Sequence, residues 1–295
     1  MTTAFNQEQH EKLLQQFWAI QSKAPASPRA LAIFQEIILH YYQHHERDFL
    51  WRRITTPYYV TVSEIMLQQT QTFRVADKFE SFIQAFPDFA TLATASTSDI
   101  IRLWKGLGYN RRALALQKIA QHVMTEYNGI LPNDIALLQT FPHIGKATAR
   151  SIVTYAFNTR IAFIETNVRT VFIYFFFKDH KAVTDSMLEP LVAASIDTSN
   201  PRVWYYALMD YGVMLKKTVG NVSRLSAHYT KQSAFEGSDR QVRGMILQAL
   251  LDRPGTPLIT LPTILDKDPQ RIEKIVQALQ REGFIKSKNG ILELP

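Results

Sequence analysis

The chain has 295 residues, of which 46% are hydrophobic, so it is long and apolar enough to bury a core in about two domains. Its formal net charge of +7 favours a polyanionic partner such as a nucleic acid. It contains no cysteine, which excludes disulfides, thiolate zinc sites and cysteine-held iron–sulfur clusters. Residues 1–10 are polar and no apolar run is long enough to span a bilayer, so we expect a cytoplasmic or nucleoid-associated protein without membrane contact.

Hydrophobic periodicity predicts a mainly helical chain as far as residue 230, with short loops and few convincing strands before residue 255. The predicted helices cover residues 7–23, 29–45, most of 57–86, 96–105, 111–127, 134–140, 146–157, 166–177, 185–196 and 201–216. Residues 25–28, with two prolines, are predicted to break the first pair of helices. Residues 47–53 are predicted to form a loop rich in charged and aromatic side chains.

The turn between the helices at 134–140 and 146–157 has the pattern of a helix-hairpin-helix. Pro142 and Gly145 punctuate the turn, and the next helix begins near Lys146. Backbone N–H groups at such a helix start, beside a lysine, bind a phosphate of one strand without reading sequence. An ordinary helix–helix turn would have the same punctuation. Downstream, Glu165 stands between an apolar run and a new helical pattern.

A second acid, Glu64, precedes the apolar residues Ile65, Met66 and Leu67. Burial among such neighbours would raise the pKa of its carboxyl, which suits a general acid near neutral pH. The polar run that follows, residues 68–71, is suited to hydrogen-bonding base edges or to filling the gap left by a displaced base. Taken in isolation, Glu64 would instead be a solvated helix residue.

The C-terminal quarter of the chain has a plan of its own. Residues 217–237 form a basic polar linker on the surface and a candidate DNA contact. Three helices follow, the last at Pro269–Glu282, and Asn289-Gly290 between two apolar runs predicts a β-hairpin. This order is typical of a winged helix, which binds duplex DNA or another protein. A small packing module is the alternative, because the last helix carries nearly balanced charge.

Four ordered motifs resemble those of the MutY-type adenine DNA glycosylases of the helix-hairpin-helix superfamily. They are Leu50–Arg52, Ser63–Gln71, Trp104–Ala113 and Leu208–Gly212. The resemblance, over roughly residues 34–215, implies a mainly α fold with two helical subdomains flanking a cleft, here followed by the C-terminal winged helix. We therefore expect an N-terminal helical extension (1–28), a glycosylase domain (29–216), the basic linker (217–237) and a winged-helix-like domain (238–295).

The resemblance also implies a role for each matched residue. Glu64 would protonate the flipped adenine, Glu165 would stabilise the oxocarbenium-like sugar, and Asn167 matches an active-site asparagine. The positions that match the adenine pocket are Arg47, Trp51, Arg52 and Asp210. Expected DNA contacts are Leu67 and Gln69, which match residues that wedge into the opened stack, with Gln68, Thr70, Tyr109, Arg111, Arg112, His143, Gly145, Lys146 and Ala147. The chemistry requires one protonated and one ionised acid, and the base must leave the helix to react.

Several positions depart from the family pattern. Glu165 stands where the family has aspartate, which moves the carboxylate by roughly a bond length. Ala147 stands where lyase-active relatives carry a nucleophilic lysine, which predicts weak or no strand cleavage. His143 replaces the usual hairpin glycine. The cluster cysteines are absent, so packing must hold the loop that follows the helix at 201–216. The family's C-terminal domain, which checks for 8-oxoguanine, is replaced by the winged helix.

Together these features predict a monofunctional, monomeric DNA glycosylase that removes adenine mispaired with guanine or 8-oxoguanine. Its partner would be double-stranded DNA with a mispaired or damaged base, and it would need no metal or other cofactor. Two alternatives remain open. One is a related glycosylase that removes thymine, uracil or an oxidised pyrimidine, since the motifs are shared. The other is a catalytically altered DNA-binding or damage-sensing protein with the winged helix as a regulatory contact.

Overall fold

The computed structural model describes residues 5–24 and 26–295, so Pro25 of the predicted break lies outside the described residues. Backbone contacts divide the chain into two units. The first unit consists of the described residues up to Thr55 with Gly145–Lys231, and the second consists of Thr56–Ile144 with Gln232–Pro295. The predicted N-terminal extension therefore belongs to the first unit, and residues 238–295 belong to the second.

The fold is mainly helical, as predicted. The helices are α1 (Gln7–Gln21), α2 (Pro28–His45), α3 (Leu50–Arg53), α4 (Pro57–Leu67), α5 (Thr72–Ala85), α6 (Phe89–Thr94), α7 (Thr97–Trp104), α8 (Arg111–Glu126), α9 (Ile135–Leu138), α10 (Lys146–Phe157), α11 (Thr166–Phe176), α12 (Asp185–Ser195), α13 (Pro201–Thr218), α14 (Asp239–Asp252), α15 (Leu261–Leu265) and α16 (Pro269–Arg281). Four of them begin with a proline that follows a capping side chain: Ser27, Thr56, Asn200 and Asp268. Capping satisfies a backbone N–H, and proline at the first helical position leaves none to satisfy.

The structure corrects two of the predicted elements. Residues 47–53 are not entirely a loop, because Leu50–Arg53 form the single turn α3, which is too short for periodicity to reveal. The pattern over 57–86 is broken at residues 68–71, where Gln69 has a positive φ of 54° and separates α4 from α5. The predicted helix at 146–157 is present with the predicted ends, the other predicted helices are present with shifted ends, and α6 is an additional helix.

Aromatic side chains form the core of the first unit around α2, α11 and α13. Phe34 on α2 is fully buried between Phe172 of α11 and Trp204 of α13, with ring centroids 5.2 and 5.8 Å away. Gly212 lets α11 and α13 come together, because a Cβ at this position would lie 2.7 Å from the Cβ of Asn167. The glycine therefore determines how closely Asn167, a predicted active-site residue, approaches α13.

The segment after α13 is held by backbone hydrogen bonds and packing, as the lack of cysteines requires. A short 3-10 helix, Val222–Leu225, packs against α11, and its Ser223 is buried. Val183 donates its N–H to the carbonyl of Leu225 at 2.9 Å and accepts from the N–H of Ala227 at 2.9 Å. This segment is thus anchored to the chain between α11 and α12.

The second unit joins the α4–α8 region to the C-terminal residues. Phe82 and Trp104 are buried in contact, and the terminal carbonyl of Pro295 accepts the N–H of Thr97 at 2.9 Å. The strands β1 (Thr256–Pro257), β2 (Lys286–Lys288) and β3 (Ile291–Glu293) form an antiparallel sheet in the order β1-β3-β2.

The predicted hairpin is confirmed, with Asn289 and Gly290 at φ values of 52° and 76°. Its first strand begins at Lys286 rather than Phe284, and Phe284 and Ile285 are buried. The three predicted helices are also present, as the winged-helix prediction requires. Within the described ranges 5–24 and 26–295, every helix is too short or too polar to cross a bilayer.

Candidate functional site

In the first unit, Asp210 joins two of the predicted pocket residues. Its carboxylate is buried on α13 and accepts four hydrogen bonds. Arg47 donates from its backbone N–H at 2.9 Å and from Nε at 2.6 Å, and Arg52 donates from both terminal nitrogens at 2.8 Å. Burial lowers the pKa of Arg52, but hydrogen bonding and attraction to Asp210 outweigh it, so the net shift is upward. The two arginines and the acid therefore form a charged cluster.

Aromatic rings cover this charged cluster. Trp51 is buried and stacks on Phe49 with a centroid distance of 4.6 Å, and the Arg52 guanidinium lies 4.7 Å from the ring centroid of Tyr206. Side-chain exposure is 29% for Arg47 but only 6% for Arg52 and 1% for Asp210. The four predicted pocket residues are thus brought together, and of the two arginines Arg47 is the more accessible to a ligand.

Glu165 caps the N-terminus of α11. Its carboxylate accepts the backbone N–H groups of Asn167 at 2.6 Å and Val168 at 2.8 Å, and the Asn167 amide donates to it at 3.3 Å. Burial raises the pKa of Glu165, while these hydrogen bonds and the nearby Arg169 oppose the rise. The net shift of the Glu165 pKa is upward, although the capping N–H groups and the helix N-terminus favour the ionised form.

The start of α10 presents the predicted phosphate site. Gly145 is its N-cap residue, and Gly145, Lys146 and Ala147 are all exposed. No heavy atom lies within 4 Å of the position that a Cβ on Gly145 would occupy. A phosphate oxygen can therefore approach the backbone here without obstruction.

In the second unit, Glu64 lies in the last turns of α4. It is half-buried, and its neighbours Ser63, Ile65 and Met66 are buried. Glu64 and Glu165 belong to different units. The predicted wedge residues flank the end of the helix, with Leu67 partly buried and Gln69 exposed on the turn that follows.

Arg112 is the hub of the second unit. It is buried, and its two terminal nitrogens donate to six acceptors, which are the carbonyls of Ile65, Met66, Gln68, Leu107 and Gly108 and the Thr70 hydroxyl. Burial lowers its pKa to about 10. Because these donors are occupied within the unit, a DNA contact of Arg112 stays a prediction. Its guanidinium ties the turn after α4 to the loop before α8.

Two further contacts hold the predicted DNA-binding turns in place. The Gln68 amide donates to the carbonyl of His143 at 3.0 Å, and the Thr70 hydroxyl donates to the carbonyl of Leu107 at 3.2 Å. His143 is exposed and has a φ of 61°, so the histidine adopts the left-handed conformation that glycine favours. Burial lowers the pKa of His143, and Arg111 and Arg112 lower it further.

Residues from the C-terminal part of the chain contact the remaining predicted DNA-binding side chains. The Tyr109 hydroxyl is hydrogen-bonded to Gln232 and Arg240, and the Arg240 guanidinium lies 4.9 Å from the Tyr109 ring centroid. Glu282 pairs with Arg111 at 2.7 Å and with Arg243. Arg240, Arg243 and Glu282 are not among the predicted site residues, because no motif marks them.

Comparisons with known proteins agree with this fold. Residues 62–193 match the HhH-GPD superfamily of base excision DNA repair proteins. An adenine DNA glycosylase of Mycolicibacterium smegmatis is 31% identical over 84% of this chain and 91% of its own length. The adenine DNA glycosylases of Mycobacterium tuberculosis and Mus musculus are 39% and 32% identical over 45% and 75% of this chain, and each match spans only 44% of the relative.

Among solved structures, a thermostable thymine-DNA glycosylase covers 69% of this chain and 98% of its own, with a TM-score of 0.58 and 23% identity. An endonuclease III bound covalently to DNA covers 63% of this chain and 85% of its own, with a TM-score of 0.53 and 15% identity. At these identities the likeness establishes the fold.

Proposed function

Because the chain belongs to the adenine DNA glycosylases of the HhH-GPD superfamily of base excision DNA repair proteins, we propose that it hydrolyses the N-glycosidic bond of adenine in DNA. The observation that carries the proposal is the likeness to the Mycolicibacterium smegmatis enzyme, which spans 91% of that relative. The Asp210 cluster supports it, because Arg52 and Asp210 come from two of the matched motifs and are paired in the structure.

In the proposed reaction, water adds to C1′ of the sugar as the bond to the base breaks. Negative charge grows on the leaving adenine and positive charge on the sugar, so the two acids need opposite protonation states. Glu64 would donate a proton to the base, and the proton that water loses on bonding to C1′ would restore the protonated Glu64; its half-buried position next to the buried Ile65 and Met66 suits that role. Glu165 would stay ionised beside the sugar, supported by the N–H groups that it caps.

The proposed substrate is adenine opposite guanine or 8-oxoguanine. Within the Asp210 cluster, we propose that Arg47 is the guanidinium that contacts the extruded base, because it is more exposed than Arg52. Arg52 and Asp210 would hold it in place. The proposed backbone grip is the start of α10, where Lys146 and the adjacent N–H groups are open to a phosphate.

We propose that the enzyme is monofunctional and works without a cofactor. Ala147 occupies the position at which a lyase would need a nucleophilic amine, and the adjacent Lys146 is displaced around the helix by about 100°. A cysteine-held iron–sulfur cluster does not fit this chain, which has no cysteine. Over the described residues, no group of three or more histidines and acids is placed to hold a metal.

A panel of labelled duplexes tests the proposal. The A:8-oxoguanine, A:G, T:G and U:G pairs are incubated with the protein, and half of each sample is then treated with hot alkali. We expect alkali-dependent cleavage at adenine only, and loss of turnover by at least about 100-fold in Glu64→Gln, as for removal of a general acid. Release of thymine or uracil without adenine would refute the substrate assignment. Tight duplex binding without release of any base would refute the enzymatic activity.

A further inference from the structure

The second unit contains a cleft whose opposite side is built by the C-terminal residues. Its volume is about 740 Å³. One side consists of the turn after α4 and the loop before α8, and the other consists of residues 232–235 and the inner face of α14. The lining of the cleft therefore includes Gln68–Gln71, the turn predicted to enter DNA.

The lining of the cleft is strongly cationic. Arg74, Lys105, Arg111, Arg240 and Arg243 contribute to it with the hub arginine, and no aspartate or glutamate among the described residues does. Glu282, outside the lining, compensates Arg111 and Arg243. Arg74 and Lys105 are exposed and take part in no ion pair among the described residues, so their charge is available to a ligand.

Aromatic rings accompany the cations. Phe235 lines the cleft with an exposed fraction of 55%, and the Arg240 guanidinium lies between the rings of Tyr109 and Phe235, at 4.9 and 5.6 Å from their centroids. The buried Nε of Arg240 has no hydrogen-bond partner among the described residues. Cations with exposed ring faces are the combination that binds phosphodiester backbone and stacks bases.

We propose that this cleft binds the sugar–phosphate backbone of DNA, so that the C-terminal residues form part of the DNA-binding surface of the second unit. The inference rests on the proposed function for the kind of ligand. It also assigns DNA binding to the side of residues 232–295 that faces the cleft. The β-hairpin, which a winged helix would use, is not assigned that role. Arg271 on α16 is paired with Asp239, whereas Lys286 and Lys288 of the hairpin are exposed and lie outside the cleft lining.

The test compares two charge-matched double variants of the full chain. Arg74→Gln/Lys105→Gln removes two cations from the cleft, and Lys286→Gln/Lys288→Gln removes two from the hairpin, so the net charge changes equally. Binding to a fluorescent duplex is measured by anisotropy over a series of salt concentrations. We expect the cleft variant to lose affinity by about tenfold or more and its log–log salt slope to fall by about 0.9 per lost phosphate contact. The hairpin variant should bind as wild type.

A third variant, Phe235→Ala, identifies the form of the strand. A loss of affinity confined to single-stranded and mispaired probes would assign an unpaired strand, and an equal loss on a fully paired duplex would assign duplex backbone. Thermal unfolding midpoints within a few degrees of wild type show that the variants remain folded. Wild-type affinity and salt slope in the cleft variant, or an equal loss in the hairpin variant, would overturn the inference.

Adenine release by the wild type separates the two proposals. If wild type releases no base but the cleft variant still loses affinity and salt slope, the proposed reaction fails and the cleft assignment stands. If wild type releases adenine and the cleft variant binds normally, the cleft assignment fails and the reaction stands.

Discussion

Each unit buries an arginine, and the two guanidinium groups are held by different kinds of acceptor. Arg52 in the first unit donates to the carboxylate of Asp210, and its pKa is raised. Arg112 in the second unit donates only to backbone carbonyls and one hydroxyl, and burial lowers its pKa to about 10. The first arrangement is an ion pair between distant parts of the chain, whereas the second gathers two turns around a single cation.

The difference indicates what each unit must hold in place. An ion pair fixes side chains. In the first unit it orients Arg47, whose side chain is more exposed than those of Arg52 and Asp210. A guanidinium surrounded by carbonyls fixes backbone, and in the second unit it holds the turn with Gln69 and the loop with Tyr109. Both residues have positive φ, which L side chains rarely adopt, so these turns need such support.

The largest expected effect comes from replacing Arg112. Arg112→Met removes the donor for seven acceptors, three of them in buried hydrogen bonds, and unsatisfied buried carbonyls cost about 1–3 kcal/mol each before relaxation. We expect the free energy of unfolding to fall by at least about 4 kcal/mol in urea denaturation. Arg111→Met is the matched control, because the Arg111 side chain is 62% exposed. An equal fall in the free energy of unfolding in both variants would contradict the role of Arg112 in holding the two turns together.

Asp210→Asn should have the next largest effect. It leaves two buried or half-buried guanidinium groups without a counter-charge, and breaking a buried ion pair from one side costs about 3–5 kcal/mol. Asp185→Asn breaks the more exposed pair with Arg169 in the same unit and should cost less than about 1 kcal/mol. The two variants are compared by their free energies of unfolding, and similar losses would contradict a special role for the Asp210 cluster.

Much of the fold and of this pairing can be predicted from the sequence. Helical periodicity and the Asn289-Gly290 signal identify the helices and the hairpin, because both are local patterns. The family resemblance groups Arg47 and Arg52 with Asp210 although the acid is far away in the chain, and the structure does bring the three together. The different role of Arg112 is not predictable, because an exposed and a buried arginine give the same basic pattern on a helix.

The contribution of the C-terminal part is also invisible to local patterns. Arg240 and Glu282 contact Tyr109 and Arg111 across long sequence separations, and neither stands in a motif. Residue type alone also does not predict that the Glu165 carboxylate caps α11, because capping depends on the local backbone. The displacement of this carboxylate expected from its extra methylene stays a prediction.

A smaller expected effect is a pH dependence of the free energy of unfolding that arises from a buried histidine in the first unit. His10 in the first unit is buried beside His40, with their Nδ1 atoms 3.3 Å apart, and its Nε2 lies 3.4 Å from the Tyr211 hydroxyl. Burial, with smaller contributions from His40 and His45, lowers the pKa of His10 to about 4, against the opposing charge of Glu11. Phe5 and Tyr41 also pack against the ring.

Because the unfolded chain binds the proton more readily, the stabilisation is complete above the unfolded pKa of 6.5 and is lost as the pH falls towards 4. The expected loss is at most about 3 kcal/mol. Urea denaturation at several pH values measures this loss, and His10→Gln should flatten the dependence even if it lowers stability at pH 7. A slope unchanged in His10→Gln would exclude His10 as its source.

The smallest expected effect concerns the turn at His143, between α9 and α10. His143 has a φ of 61°, which costs a non-glycine residue about 1 kcal/mol, less for histidine than for a β-branched residue. His143→Gly relieves this strain but gives the unfolded chain more freedom, so the free energy of unfolding should change by less than about 1 kcal/mol. His143→Val should lower it by more than that, since valine is poorly tolerated at positive φ.

The two substitutions at His143 also test whether contacts or residue type determine the turn. The carbonyl of residue 143 accepts the Gln68 amide whatever the side chain, and that amide belongs to the turn that Arg112 supports. If contacts determine the conformation, His143→Gly keeps the affinity for undamaged duplex DNA within about twofold of wild type. A much larger loss of affinity in the glycine variant, without a loss of stability, would mean that the imidazole itself contacts the DNA strand. The turn in the second unit would then position the His143 side chain for DNA as well as hold its own backbone.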